Sequence, residues 1–154
     1  MSLPGYIFEP TPMNPDRTAE HVEILSQAYA LWHETRGGSV EHWLGLMSGD
    51  VTIRSVAGEQ PTLQFANPRD GLAEARHYFT ALASEWEMLH FTPEEFVAQG
   101  DRVVALSRCA FRNRRTGREV ESPKADFFRF RDGKIVEVME FFNTAAAAAA
   151  CQPG

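Results

Sequence analysis

Cysteine is scarce: Cys109 and Cys151 are the only two in 154 residues. Two do not make a disulfide framework, and Cys109, inside an apolar strand-like stretch, reads as a small core residue. Long apolar runs are missing too. None approaches the ~20 residues that cross a bilayer, and Met1-Ser2-Leu3-Pro4 lacks the basic and apolar regions of a signal peptide. The expected location is therefore the cytoplasm, with no membrane partner. Cations are outnumbered, 15 Lys and Arg against 21 Asp and Glu, for a net charge of −6. A nucleic-acid surface wants clustered cations, so nucleic acid is not an expected partner. The one basic cluster, Arg112, Arg114, Arg115 and Arg118 around Thr116-Gly117, reads as a solvated hairpin tip. The five histidines form no HExxH or other tight ligand spacing. There is no phosphate-binding glycine loop and no nucleophile elbow. No metal and no organic cofactor is expected.

What is present suits one globular core, since 44% of the residues are hydrophobic and the length fits a single domain. Residues 1–15 are rich in proline and read as an extended or disordered arm. Residues 16–144 form the domain, and 145–154 an alanine-rich tail that either extends a short helix or frays. Asn14-Pro15-Asp16 opens a helix whose apolar face is Val22, Leu25, Tyr29 and Trp32, ended by Gly37-Gly38. Ser39 can cap a second helix that turns Val40, Trp43, Leu44 and Met47 inward. Alternation over 51–56 and a short stretch near 63–65 read as a small hairpin. Asn67-Pro68 opens a third helix with Leu72, Ala75, Tyr78, Phe79 and Leu82 as its buried stripe. From Trp86 the period becomes two. Strands are expected over 86–99, 102–113, 119–131 and 134–143, divided by Gly100-Asp101, Thr116-Gly117 and Asp132-Gly133. The order predicts an α+β fold with helices covering one face of a curved antiparallel sheet around an internal pocket.

The last hairpin defines the pocket wall. A three-residue loop, Arg131-Asp132-Gly133, pairs Phe130 with Lys134, Asp126 with Val138 and Lys124 with Glu140. One face then carries Lys124, Asp126, Phe128, Phe130, Val136, Val138, Glu140 and Phe142. The other carries Ala125, Phe127, Arg129, Ile135, Glu137, Met139 and Phe141. A two-residue loop instead re-pairs the faces and turns Asp126 and Glu140 apart. Because both faces are substantially apolar, a homodimer through the outer sheet face is expected.

The segment Lys124-Ala125-Asp126-Phe127-Phe128-Arg129-Phe130, followed by Asp132-Gly133-Lys134-Ile135-Val136-Glu137, resembles the SnoaL-like proteins of the nuclear transport factor 2-like superfamily. That superfamily includes ketosteroid isomerases and limonene epoxide hydrolase. The resemblance implies a cone-shaped fold, a curved sheet wrapped against three helices, with a deep pocket and dimers through the outer sheet. Against ketosteroid isomerase, Asp126 matches the protonated oxyanion-binding aspartic acid, and Tyr29 its partner tyrosine if two extra residues are allowed near 36–38. Ser55 stands where that enzyme has its general base. Against limonene epoxide hydrolase, Glu140 matches an acidic residue of the final strand and Arg108 an arginine that orients the carboxylates. Ala110 replaces the aspartate two residues after that arginine. In SnoaL-type polyketide cyclases an aspartate serves as acid and base, and Asp126 is the nearest candidate.

The candidate catalytic residues are thus Asp126, Glu140, Tyr29 and Arg108. In an apolar pocket the Asp126 pKa is expected to rise, by up to ~3–5 units, making it a general acid or proton shuttle. Glu140 is its partner base, with Arg108 as orienting cation and Tyr29 as oxyanion donor. The alternative for Glu140 is an ion pair with Lys124 or a network with Arg108. Trp32, Trp43, Ser55, Phe79, Phe128, Val138 and Phe142 are the candidate substrate contacts. Two functions remain open. One is a cofactor-independent isomerase, cyclase or hydratase acting on a small lipophilic molecule. The other is a non-catalytic ligand-binding or structural dimer of the same fold.

Overall fold

A computed structural model describes residues 15–153, so the expected N-terminal arm, residues 1–14 at least, lies outside the described residues. The elements run α1 (Pro15–Glu34), α2 (Val40–Leu46), β1 (Met47–Ser55), a 3-10 turn (Gln64–Ala66), β2 (Arg69–Asp70), α3 (Gly71–Glu85), β3 (Trp86–Gln99), β4 (Arg102–Asn113), β5 (Glu119–Arg131), β6 (Lys134–Phe142) and α4 (Thr144–Ala150). The strands form one curved, open sheet in the order β2-β1-β6-β5-β4-β3. It is mixed: β1 runs parallel to β6, and the other neighbours are antiparallel.

Helix α1 starts with Pro15, whose missing N–H costs nothing in a first turn. Leu25, Ala28, Tyr29 and Trp32 are buried at helical spacing and lay it against β3. The helix ends where Arg36 and Gly37 adopt positive φ, and the Gly37 N–H closes on the Trp32 carbonyl at 2.9 Å. Helix α3 packs on β1, toward the opposite edge of the sheet. The core between helices and concave sheet is rich in aromatic rings. No described helix is long and apolar enough to cross a membrane.

Several local expectations change. The stretch near 63–65 runs into a 3-10 turn and is not a strand: the adjacent Phe65 and Ala66 both bury instead of alternating, and the Ala66 N–H closes on the Leu63 carbonyl at 3.0 Å. The partner of β1 is the two-residue β2, with Thr52 opposite Asp70. Helix α3 begins at Gly71, after the Asn67-Pro68 signal. Ser39 precedes α2, but its hydroxyl makes no capping bond and is buried without a partner. The alanine run is ordered as α4, capped by Asn143 Oδ1, which accepts from the Ala146 N–H at 3.0 Å.

The basic β4–β5 tip is not simply solvated. Arg115 donates to the Cys151 carbonyl, Thr116 Oγ1 to the Ala150 carbonyl at 2.5 Å, and Arg118 to those of Ala149 and Gln152 at 3.4 and 3.2 Å. Those carbonyls belong to the end of α4 and the two residues after it, where partners are lacking and cations are favoured by the helix dipole.

The last hairpin turns on two residues. Asp132 and Gly133 have φ of 51° and 77°, the conformation that a two-residue turn between twisted strands requires. Arg131 therefore pairs with Lys134 and Phe130 with Ile135. A bulge at Val136 then shifts the ladder, so that Arg129 faces Glu137, Phe128 faces Val138, Asp126 faces Glu140 and Lys124 faces Phe142. The bulge restores the side that the shorter loop would have lost. Asp126 and Glu140 share the concave face and stand directly opposite each other, one pair nearer than the three-residue loop implies. Ile135, expected outside, is fully buried. The convex face carries the expected apolar residues. Val97, Val104, Phe127 and Met139 lie in one row across four strands. Phe127 and Phe141, 46% and 38% exposed, meet edge to face at 5.4 Å.

Candidate functional site

A cavity of about 100 Å³ lies between the concave sheet and the helices. Its polar wall is built by strand alternation. Lys124 and Asp126 are two apart on β5 and point to one side, where Glu140 of β6 faces Asp126. Two helices complete the group: Tyr29 comes from the buried stripe of α1 and Tyr78 from that of α3. Asp126 is 5% and Glu140 2% exposed, so both carboxylates are out of water.

Buried carboxylates need donors. Asp126 accepts on both oxygens, from the Tyr29 hydroxyl on Oδ2 and from the Lys124 ammonium on Oδ1, each at 2.5 Å. Glu140 Oε1 accepts from the Tyr78 hydroxyl and lies 3.4 Å from Lys124 Nζ. Glu140 Oε2 is buried with no partner. Of the four carboxylate oxygens it alone is unengaged.

The electrostatics keep the donors as donors. Burial, followed by the adjoining carboxylates, raises the Tyr29 and Tyr78 pKa values well above the usual phenol range. Lys124 feels two opposed effects. Burial alone would lower its pKa, but the charges of Asp126 and Glu140 together with the Asp126 hydrogen bond outweigh burial and raise it. Lys124 is thus an ammonium, not an amine nucleophile. It also lies 5.5 Å from the Phe91 ring centroid, a cation–π contact. Cys109 lines the cavity too, but burial pushes its thiol up to about 12, which leaves it without thiolate reactivity.

The rest of the wall is apolar. Trp43 stacks on Phe128 with the ring centroids 6.0 Å apart, and Tyr29 meets Trp43 edge-on at 5.1 Å. Trp32, Trp43, Phe79, Phe128, Val138 and Phe142 all line the cavity, as do Tyr29, Asp126 and Glu140.

Two candidates are placed elsewhere. On β4 the inward positions are Val103, Ala105, Ser107 and Cys109, which puts Arg108 on the convex side. Its side chain is 54% exposed and lies 3.7 Å from Glu94, so it orients neither carboxylate. The cation in the cavity is Lys124 instead. Ser55 ends β1 opposite Glu140 in the ladder, but its hydroxyl accepts the Ala57 N–H at 3.2 Å in a turn and does not line the cavity. Ile53, two residues earlier, and Met47 supply the β1 wall. Tyr78 joins the site although its sequence pattern marks it only as core. The signal for both additions is periodicity: strand alternation puts Lys124 on the side of Asp126, and helical spacing puts Tyr78 on the buried stripe of α3. Among the described residues, no group of three or more His, Cys, Asp or Glu could hold a metal ion.

A curved mixed sheet closed by helices around a carboxylate-bearing apolar cavity is the nuclear transport factor 2-like fold. A model of the SnoaL-like domain matches residues 25–138, and the chain belongs to this family. Solved structures agree. A nuclear transport factor 2-like protein from Burkholderia xenovorans LB400 superposes with a TM-score of 0.73 at 25% identity, over 88% of this chain and 98% of its own. A putative SnoaL-like polyketide cyclase from Jannaschia sp. CCS1 gives 0.68 at 20% identity, over 93% and 97%. A hypothetical protein of ketosteroid isomerase-like fold from Catenulispora acidiphila DSM 44928, in complex with trimethylamine, gives 0.69 at 16% identity, over 86% and 94%. No curated protein matches the chain.

Proposed function

We propose that this protein is a cofactor-independent enzyme that moves protons on a small, largely apolar substrate, with Glu140 as the general base. The observation that carries this reading is the unpartnered Glu140 Oε2 in a cavity where every other carboxylate oxygen is engaged. A base needs one free lone pair and a fixed orientation. Tyr78 supplies the orientation, and Lys124 supplies positive charge beside any anion that develops. The reactions that fit are isomerisation, by moving a proton beside a carbonyl, and hydration, by activating water. For hydration the spacing is suggestive. The cation, gap, carboxylate pattern sought at Arg108 and Ala110 occurs one strand later as Lys124-Ala125-Asp126, against Glu140 in the final strand. Asp126, held by Tyr29 and Lys124, serves as the partner that fixes the cation and shuttles the proton.

The test is a thermal-shift screen of lipophilic ketones and epoxides, in which ligands raise the melting temperature by mass action, followed by turnover of each hit. Glu140→Gln should reduce kcat by roughly 10²–10⁴-fold while hits still bind. Equal turnover in both proteins would remove Glu140 as the base. A second reading, a non-catalytic binder of the same molecules, is favoured by the saturation of Asp126 by Lys124 and Tyr29. It predicts binding with no turnover by either protein.

The proposal includes a homodimer. The exposed row through Val97 and Phe127, with Phe141 beside it, is the apolar surface a second copy would cover. Light scattering at micromolar concentration should give twice the chain mass, and Phe127→Asp should give the monomer.

A further inference from the structure

We infer that α4 sets the size of the cavity: its alanine face forms part of the wall, and a side-chain latch from the β4–β5 loop holds that wall in place. This deepens the ligand-binding part of the reading above and does not depend on the chemistry of Glu140. The helix follows the site directly in the chain. β6 ends at Phe142, Asn143 caps, and α4 starts four residues after Glu140. Ala147 lines the cavity. Ala147, Ala150 and Cys151 bury together at helical spacing, so the inward side of α4 offers methyl groups and one thiol.

Such a face buries little, and a seven-residue helix is far shorter than the ~12–15 residues needed for marginal stability alone. What holds it is polar and local. At its start the Asn143 N–H donates to Ser122 Oγ at 2.9 Å. At its end Arg115, Thr116 and Arg118 grip the carbonyls of residues 149–152. Asn113 Nδ2 donates to Cys151 Sγ at 3.6 Å, and that thiol contacts the Thr62 carbonyl at 3.4 Å. Breaking the latch costs hydrogen bonds that water can replace and opens little apolar surface.

With α4 in place the cavity, about 100 Å³, is smaller than the ~150 Å³ apolar cavity known to admit benzene and well below the ~300–1,000 Å³ of sites for drug-sized ligands. With α4 seated, the space suits about one small ring, and a second fused ring fits inside only if α4 moves.

Binding of cyclopentanone, benzene and naphthalene to the full chain, followed by calorimetry and thermal shift, tests this. Wild type should bind the one-ring probes at least 10-fold more tightly than naphthalene. Ala147→Leu should weaken one-ring binding at least 10-fold. Ala145→Leu, on the exposed side of the same helix, should bind as wild type. The latch variant Arg115→Gln/Thr116→Val should fold and bind naphthalene at least 10-fold more tightly than wild type does. Glu140→Gln should retain the wild-type size limit, which separates this inference from the assignment of the base. Unchanged binding in Ala147→Leu, an unchanged size limit in the latch variant, or no binding of any probe by any variant would overturn it.

Discussion

The two faces of the β5–β6 hairpin carry charges of the same kinds and use them differently. On the concave face Asp126 and Glu140 are buried beside the largely buried Lys124, and their donors are directed from α1, α3 and β5. On the convex face Arg129 reaches Asp101 at 3.2 Å and Glu137 at 3.3 Å, with all three side chains about half exposed. Water competes for the second set and screens it, so it adds little. The first set has no water to fall back on, and loss of one partner strands the rest. Like charges are thus expendable on one side of the sheet and structural on the other.

The sharpest way to break this contrast is Lys124→Met. It leaves two carboxylates in an apolar cavity without their cation and should cost about 3–5 kcal/mol by denaturant unfolding. The same cluster sets an alkaline limit. The folded-state pKa values of Lys124, Tyr29 and Tyr78 are all raised. Groups of that kind stabilise the fold below their unfolded values, near ~10, and the contribution is lost as pH rises through the folded values. Stability should therefore fall above about pH 10, and the tyrosinate absorbance of Tyr29 and Tyr78, read as the difference from the Tyr29→Phe/Tyr78→Phe protein, should appear with unfolding rather than before it. In Lys124→Met that decline should be shallower.

Smaller effects come next. Tyr29→Phe and Tyr78→Phe each remove one donor from a buried carboxylate and should cost about 1–3 kcal/mol. If Glu140 is the base, Tyr78→Phe should also lower kcat more than Tyr29→Phe does. At the bottom stands Arg108→Ala, on the convex face, which should leave the melting temperature and ligand binding within error of wild type. A large loss there would erase the distinction between the two faces.

Much of the fold was legible because turn residues frame the strands. Gly100-Asp101, Thr116-Gly117 and Asp132-Gly133 sit between strands whose boundaries match the expected ones to within a residue. Alternation on β5 and β6 also placed Asp126 and Glu140 in one pocket with Tyr29. What alternation could not show was the bulge. Ile135-Val136 is an apolar pair that suits either face, so nothing in it marks an extra residue. Arg108 differs in kind. The small and apolar positions Val103, Ala105 and Cys109 alternate inward and put it outside, and the family correspondence that points it at the carboxylates runs against that alternation. Lys124 was legible as a counter-ion of Glu140, but its tighter contact with Asp126 depends on the register. Leu63 to Phe65 read as a strand because a buried 3-10 turn and a short strand share the same apolar composition.

The bulge at Val136 does two jobs at once. A bulged strand bends, so the residue that aims Glu140 inward also deepens the cone in front of it. Aim and curvature cannot drift independently in this sheet. A relative that flattened its last hairpin by pairing every residue in register from the turn would present Phe141 to the cavity and Glu140 to solvent. One unpaired valine acts as a phase shifter: it decides which of two otherwise similar stripes on β6 becomes the interior of the protein.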